Sequence, residues 1–180
     1  MKRKEKKRKK RISLWVKLLI FVVVCAGLYF FASSSYFNVA EFEVEGSTYY
    51  SEDEILIMGD CKTGNNIFWG SSIGDIKDRL EKDPYMADVK IKRILPDKIK
   101  IEITERVQVG AVVYGNNYVV IDKDETVLRK TEVDPQLPLI KGLTISKIEV
   151  GMPLEVEEKV KMRQIMDMIA SMNETDMYFK

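Results

Sequence analysis

From Leu14 to Ala32 the chain reads LWVKLLIFVVVCAGLYFFA, apolar apart from Lys17. At about 1.5 Å of rise per residue, such a run makes a helix of roughly 28 Å, close to the ~30 Å hydrocarbon layer of a bilayer. It predicts one membrane-spanning helix. Beyond it the period changes: Ala40, Phe42 and Val44 alternate with Glu41, Glu43 and Glu45, which predicts a strand with one wet face. Ser51-Glu52-Asp53-Glu54 has capping-box spacing, with acids at the positive end of a helix expected to run through Met58. Residues 59–70 read as a loop in which Ile67-Phe68-Trp69 is an apolar knot, expected to tuck against the core. Ile73, Ile76 and Leu80 then share one face of a helix that begins near Ser72 and ends before Pro84. Val89 and Ile91 alternate with Lys90 and Lys92; after the turn Leu95-Pro96-Asp97, Ile99, Ile101 and Ile103 alternate with Lys100 and Glu102. These two runs predict a hairpin. The order from Asn38 to Arg106 is strand, helix, helix, strand, strand, an α+β unit with two helices on one face of a three-stranded sheet.

The pattern after Arg106 is richer in strands. Ala111 to Tyr114, the turn Gly115-Asn116-Asn117, and Tyr118 to Asp122 read as a hairpin, because Gly and Asn tolerate the positive φ of tight turns. Thr126-Val127-Leu128 begins another strand. Met162, Ile165, Met166, Ile169 and Met172 form an apolar stripe on a helix expected to start near Pro153. The chain is thus divided into a basic tail (1–13), a transmembrane helix (14–32), an α+β domain (38–106) and a partial β-rich domain with a C-terminal helix (107–180).

Charge sets the orientation. The formal net charge is only +1, yet Lys2, Arg3, Lys4, Lys6, Lys7, Arg8, Lys9, Lys10 and Arg11 precede the apolar run, against Glu5 alone. A cationic flank marks the cytoplasmic side, so these nine residues are the candidate topology determinant and the bulk of the chain is expected outside the cytoplasm. Beyond Ala32, 19 Lys and Arg face 27 Asp and Glu, so the exported part is acidic. A cleaved signal peptide is the alternative, with Ser33-Ser34-Ser35 supplying small residues; the run exceeds the about 7–15 residues of a signal h-region, which favours an anchor. A nucleic-acid tail is a further reading of the cations, less simple than a topology signal that also meets anionic lipid. Trp15 at one end and Tyr29, Tyr36 and Phe37 at the other suit the membrane interfaces.

The two cysteines, Cys25 in the apolar run and Cys61 beyond it, make an intramolecular disulfide implausible, and the absence of histidine removes the common zinc sites and His-based triads. Asp122-Lys123-Asp124-Glu125 lacks the spacing and glycine of a calcium loop and reads as a solvated turn. Ser33 to Ser35 have no base beside them. No metal or cofactor is expected.

The α+β order, the Asn66-Ile67-Phe68 segment before the second helix, the Leu95-Pro96 turn and the closing Thr104-Glu105-Arg106 together resemble the POTRA domain of the FtsQ/DivIB family of bacterial cell-division proteins. The preceding single membrane helix fits, and Leu137-Pro138-Leu139-Ile140-Lys141-Gly142 is similar to a segment of the family's second domain. Gln108 and Glu125 depart from it, standing where proline and a turn glycine are usual. Members continue with further strands, so the chain reads as a truncated member or a fragment, with the second domain expected to be less stable than the first. The resemblance implies a non-enzymatic divisome scaffold, septal in dividing cells, that recruits single-pass partners of the FtsL and FtsB/DivIC type. A POTRA-containing transport or chaperone-like envelope module is the alternative.

Two surfaces are candidates for binding. The third strand of the first domain, carrying Lys98, Lys100, Glu102, Thr104 and Arg106, is the candidate partner-binding edge if it lies at the sheet margin, although alternating charge also blunts an edge. The methionines of the last helix suit either core packing or an adaptable groove. Cys25-Ala26-Gly27 would permit close approach of a neighbouring helix.

Overall fold

The computed structural model describes residues 13–70 and 72–174. The nine cations from Lys2 to Arg11 lie outside the described residues. Helix α1 spans Leu14–Ala32, the same 19 residues as the apolar run; none is buried by the rest of the chain, and its length and composition are those of a membrane span. A single 3-10 turn, Ser35–Phe37, leads from it into the first strand.

Strand β1 (Glu41–Glu45) is followed by α2 (Glu52–Met58), α3 (Ile73–Leu80), β2 (Met86–Ile94) and β3 (Lys98–Glu105). The first turn of α2 is closed reciprocally: the Glu54 amide donates to Ser51 Oγ at 3.4 Å and the Ser51 amide donates to Glu54 Oε2 at 2.9 Å. Ser72 caps α3 by accepting from the Asp75 amide at 3.4 Å. Ile55, Ile76 and Leu80 from the helices meet Phe42, Val89, Ile99, Ile101 and Ile103 from the sheet in one core. Each such side chain contributes about 2 kcal/mol on leaving water. The fold is α+β, as the alternations predict.

The strand order corrects one expectation. The sheet runs β1-β3-β2, with β3 parallel to β1 and antiparallel to β2, so the strand carrying Lys98, Lys100, Glu102 and Thr104 is the centre and not an edge. Its main chain is paired on both sides and offers no free ladder to a partner. Arg106, just past it, donates its amide to Tyr85 O at 2.8 Å. The central place suits its side chains: Ile99, Ile101 and Ile103 are an unbroken β-branched series, all buried, whereas Ile91 is partly open and Ile94 of β2 is 40% exposed. A strand flanked by two neighbours and roofed by helices takes the most complete apolar face.

The second unit begins with the hairpin β4 (Gly110–Tyr114) and β5 (Asn117–Ile121). Asn117 already pairs with Tyr114, leaving a two-residue turn of Gly115 and Asn116, with Gly115 at φ 59°. Only the first turn residue is left-handed, a type II′ requirement that glycine meets. Strands β6 (Val127–Thr131) and β7 (Leu139–Ile140) complete a sheet of order β6-β5-β4-β7, and β8 (Ile145–Lys147) pairs with β9 (Glu155–Val156). Helix α4 spans Lys159–Glu174, beginning after β9 and not near Pro153. Leu154 and Val156 alternate with Glu155 and are buried, so this stretch keeps the period of a strand and delays the helix. Met162, Met166 and Ile169 are buried against Val112, Val119, Ile121 and Ile140, so the methionine stripe is core.

Candidate interaction sites

The wet face of the first sheet is a ladder of opposite charges. Lys98 Nζ lies 2.6 Å from Glu41, Lys100 Nζ 2.8 Å from Glu45 and Lys92 Nζ 2.7 Å from Glu102. The bond to Glu41 raises Lys98, the bond to Glu45 raises Lys100, and the bond from Lys92 lowers Glu102 relative to their ordinary values. Solvent reaches every pair, with Lys100 (22% exposed) and Glu102 (32%) the least open, so the ladder contributes little stability and keeps the face hydrated. Lys98, Lys100 and Glu102 are brought together on this face; Thr104 is exposed further along, and Arg106 is turned elsewhere. The sheet margins are β1 and β2, whose outer main chains carry no strand partner among the described residues.

Glu105 and Arg106 organise the far end of the strand. The Glu105 carboxylate accepts from Ser47 Oγ, from Thr48 Oγ1 at 2.8 Å and from the amides of Thr48 at 2.9 Å and Tyr49 at 3.1 Å. Burial works to raise its pKa, but these bonds together outweigh it and hold the carboxyl below the usual range. The loop they hold starts at Gly46, φ 88°, where a Cβ would come within 2.2 Å of Ile103 O; only glycine fits.

Arg106 reaches the second unit. Its Nη1 donates to Asp122 Oδ2 at 2.7 Å and lies 3.6 Å from Asp124. Asp122, expected to be solvated, is 1% exposed, and its Oδ1 also accepts from the amides of Asp124 at 2.9 Å and Thr126 at 2.7 Å. A buried carboxylate needs such partners, and the turn supplies them through its own backbone. Glu125 completes the turn at φ 64°, in the left-handed region that favours glycine. A cleft of about 260 Å³ lies beside this joint, lined by Thr104, Arg106, Val109, Asp122 and Asp124. Among the described residues no group of three or more Cys, Asp or Glu is placed to hold a metal. Cys61 is half-buried, which pushes its thiol up to about 11 and leaves it a poor nucleophile at neutral pH.

The end of α1 is tied to the first domain through Asn66. Its Nδ2 donates to Ala32 O at 2.8 Å, while its Oδ1 accepts from the amides of Phe68 at 3.0 Å and Trp69 at 3.4 Å. One side chain thus satisfies a carbonyl left open at the helix end and also shapes the loop. Ile67 donates to Phe37 O at 2.8 Å and is fully buried. Phe37 packs edge-on to Phe31 at 5.2 Å and lies 5.3 Å from Phe68; Trp69 lies 6.0 Å from Tyr29. Trp69, expected inside the apolar knot, is 63% exposed and faces α1 instead of the core. The sequence carried no signal for this contact, since the two rings are 40 residues apart.

A sequence model described as "POTRA domain, FtsQ-type" matches residues 37–106. The chain is 31% identical to the cell division protein DivIB of Clostridium acetobutylicum over 144 residues, 79% of this chain and 55% of that protein. It is 28% identical to DivIB of Clostridium botulinum strain Hall over 184 residues, 99% of this chain and 69% of that protein. It is also 28% identical to the cell division protein FtsQ of Syntrophotalea carbinolica over 152 residues, 83% of this chain and 53% of that protein. The chain therefore spans between about half and two thirds of the length of these curated relatives.

Proposed function

The chain belongs to the FtsQ/DivIB family of cell-division proteins, and on that premise we propose that it is a membrane-anchored, non-enzymatic scaffold of the divisome. The observation that carries the reading is a POTRA-type α+β unit joined directly to a span-length apolar helix by one 3-10 turn. In this reading α1 crosses the cell membrane, Lys2 to Arg11 hold the amino terminus in the cytoplasm, and residues 38–106 and 107–180 work outside it. The partners are single-pass division proteins of the FtsL and FtsB/DivIC type, and the protein concentrates at the septum. Recruitment is by binding alone. With β3 enclosed, main-chain pairing with a partner falls to an outer strand, and the charged face of Lys98, Lys100 and Glu102 contributes orientation through its field.

A fluorescent fusion to the amino terminus is expected to form a septal band in dividing cells. Uniform envelope signal, unchanged when division is blocked, would overturn the reading. Co-purification of the membrane-inserted chain with FtsL-like and FtsB/DivIC-like proteins tests the partners separately from the location.

A further inference from the structure

We propose that the Asn66–Gly70 turn is a membrane-interface anchor: Trp69 inserts at the headgroup boundary of the bilayer that α1 spans, fixing the POTRA-type unit against the lipid surface. The inference rests on α1 being membrane-spanning and goes beyond the scaffold reading. Depth is set by α1 itself. Tyr29 lies three residues before the last residue of the helix, about 4.5 Å along its axis. The Trp69 ring, 6.0 Å from that of Tyr29, is therefore level with the end of the span to within a few ångströms. Tyr and Trp are the residues that favour this level, burying a ring while keeping a polar edge wet.

The turn is held there. Asn66 bonds the helix end and two amides of the turn; Arg93 Nε donates to Ile67 O at 2.7 Å from the sheet side; a Cβ on Gly70 would stand 2.9 Å from the Asn66 amide. Trp69 is thus presented by a braced loop.

Charge gives an independent argument. In a chain that is 32% charged, no Asp, Glu, Lys or Arg occurs from Leu18 to Ala40 or from Thr63 to Gly74. These are the two stretches joined at the helix end. Tyr29, Phe30, Phe31, Tyr36 and Trp69 are all exposed there, an apolar surface continuous with the lipid-facing side of α1. A patch of this kind demands cover, and its continuity with the span makes lipid the occupant.

Two single-tryptophan versions of the full chain separate the claims: Trp15→Phe leaves Trp69, and Trp69→Phe leaves Trp15. Each is placed alone in phosphatidylcholine–phosphatidylglycerol nanodiscs, with and without lipid brominated near the headgroup end of the acyl chains. Both tryptophans are expected to be quenched, Trp69 within about twofold of Trp15, as interface positions at either end of one span require. If Trp15 is quenched while Trp69 keeps an aqueous, unquenched emission, the anchor proposal fails and the spanning helix stands. That same result leaves the Trp69 ring in water. If neither is quenched, the spanning reading fails and the proposal with it. The unsubstituted chain labelled with fluorotryptophan makes the same test without any substitution: a lipid-borne nitroxide is expected to broaden both fluorine resonances, and broadening of the Trp15 resonance alone overturns the proposal.

Discussion

At the scale of the residue, the motif Thr104-Glu105-Arg106 resolves into two separate tasks. Glu105 gathers the Ser47–Tyr49 loop, and because its folded pKa is depressed, its contribution is present above the ordinary carboxylate pKa of about 4.3 and is lost as pH falls through the lower folded value. Glu105→Gln is expected to destabilise the chain by about 1–2 kcal/mol at pH 7, a discounted figure for a partly exposed carboxylate. The gap between parent and variant should narrow at pH 3, measured by urea titration at both values. Glu125 holds a left-handed conformation at a cost of about 1–2 kcal/mol, of which glycine gives back part as chain entropy. Glu125→Gly is therefore expected to raise stability by about 1 kcal/mol, visible as a higher urea midpoint at unchanged slope.

At the scale of the element, α4 shows how a helix boundary is decided by what precedes it. Pro153 bridges to Thr126, and Leu154 and Val156 fill the core as a strand does, so helical geometry starts only at Lys159. Met162 then sits wholly buried beneath β4 and β5. Met162→Ala leaves a cavity and is expected to cost about 3 kcal/mol. Hydrogen exchange should show the largest loss in residues 110–121 and 159–172, which surround the cavity. The central β3 makes the complementary point: a strand with its main chain satisfied on both sides serves the core, and unpaired main chain is found only at the outer strands β1 and β2 among the described residues of that sheet.

At the scale of the whole molecule, three bodies are coupled through few side chains. Asn66 with Phe37, Phe68 and Trp69 joins α1 to the first unit; Arg106 with Asp122 joins the first unit to the second. Removing the guanidinium leaves a carboxylate that is 1% exposed without its counter-ion. Arg106→Ala is expected to cost about 3 kcal/mol and to split a joint unfolding transition into two. Circular dichroism and amide exchange followed along one denaturant series check this; a single coincident transition in the variant would show that the joint does not couple the units. Pairing the change with Asp122→Asn should recover part of the loss, because the orphaned charge is then gone.

The elements were legible in the chain: the apolar run, the strand alternations and the capping box of α2 are local patterns, and local geometry follows from local sterics and side-chain period. Its family resemblance was likewise carried by short motifs in order. Which distant pieces meet was settled by packing. Strand order placed β3 at the centre, because sheet neighbours are chosen by burial of the whole apolar face and not by adjacency in the chain. Asp122 became buried because an arginine 16 residues away arrives at it, and Trp69 left the core for α1 because Asn66 closes the helix end. Both depend on contacts across long separations, which periodicity, being a property of neighbours, does not encode.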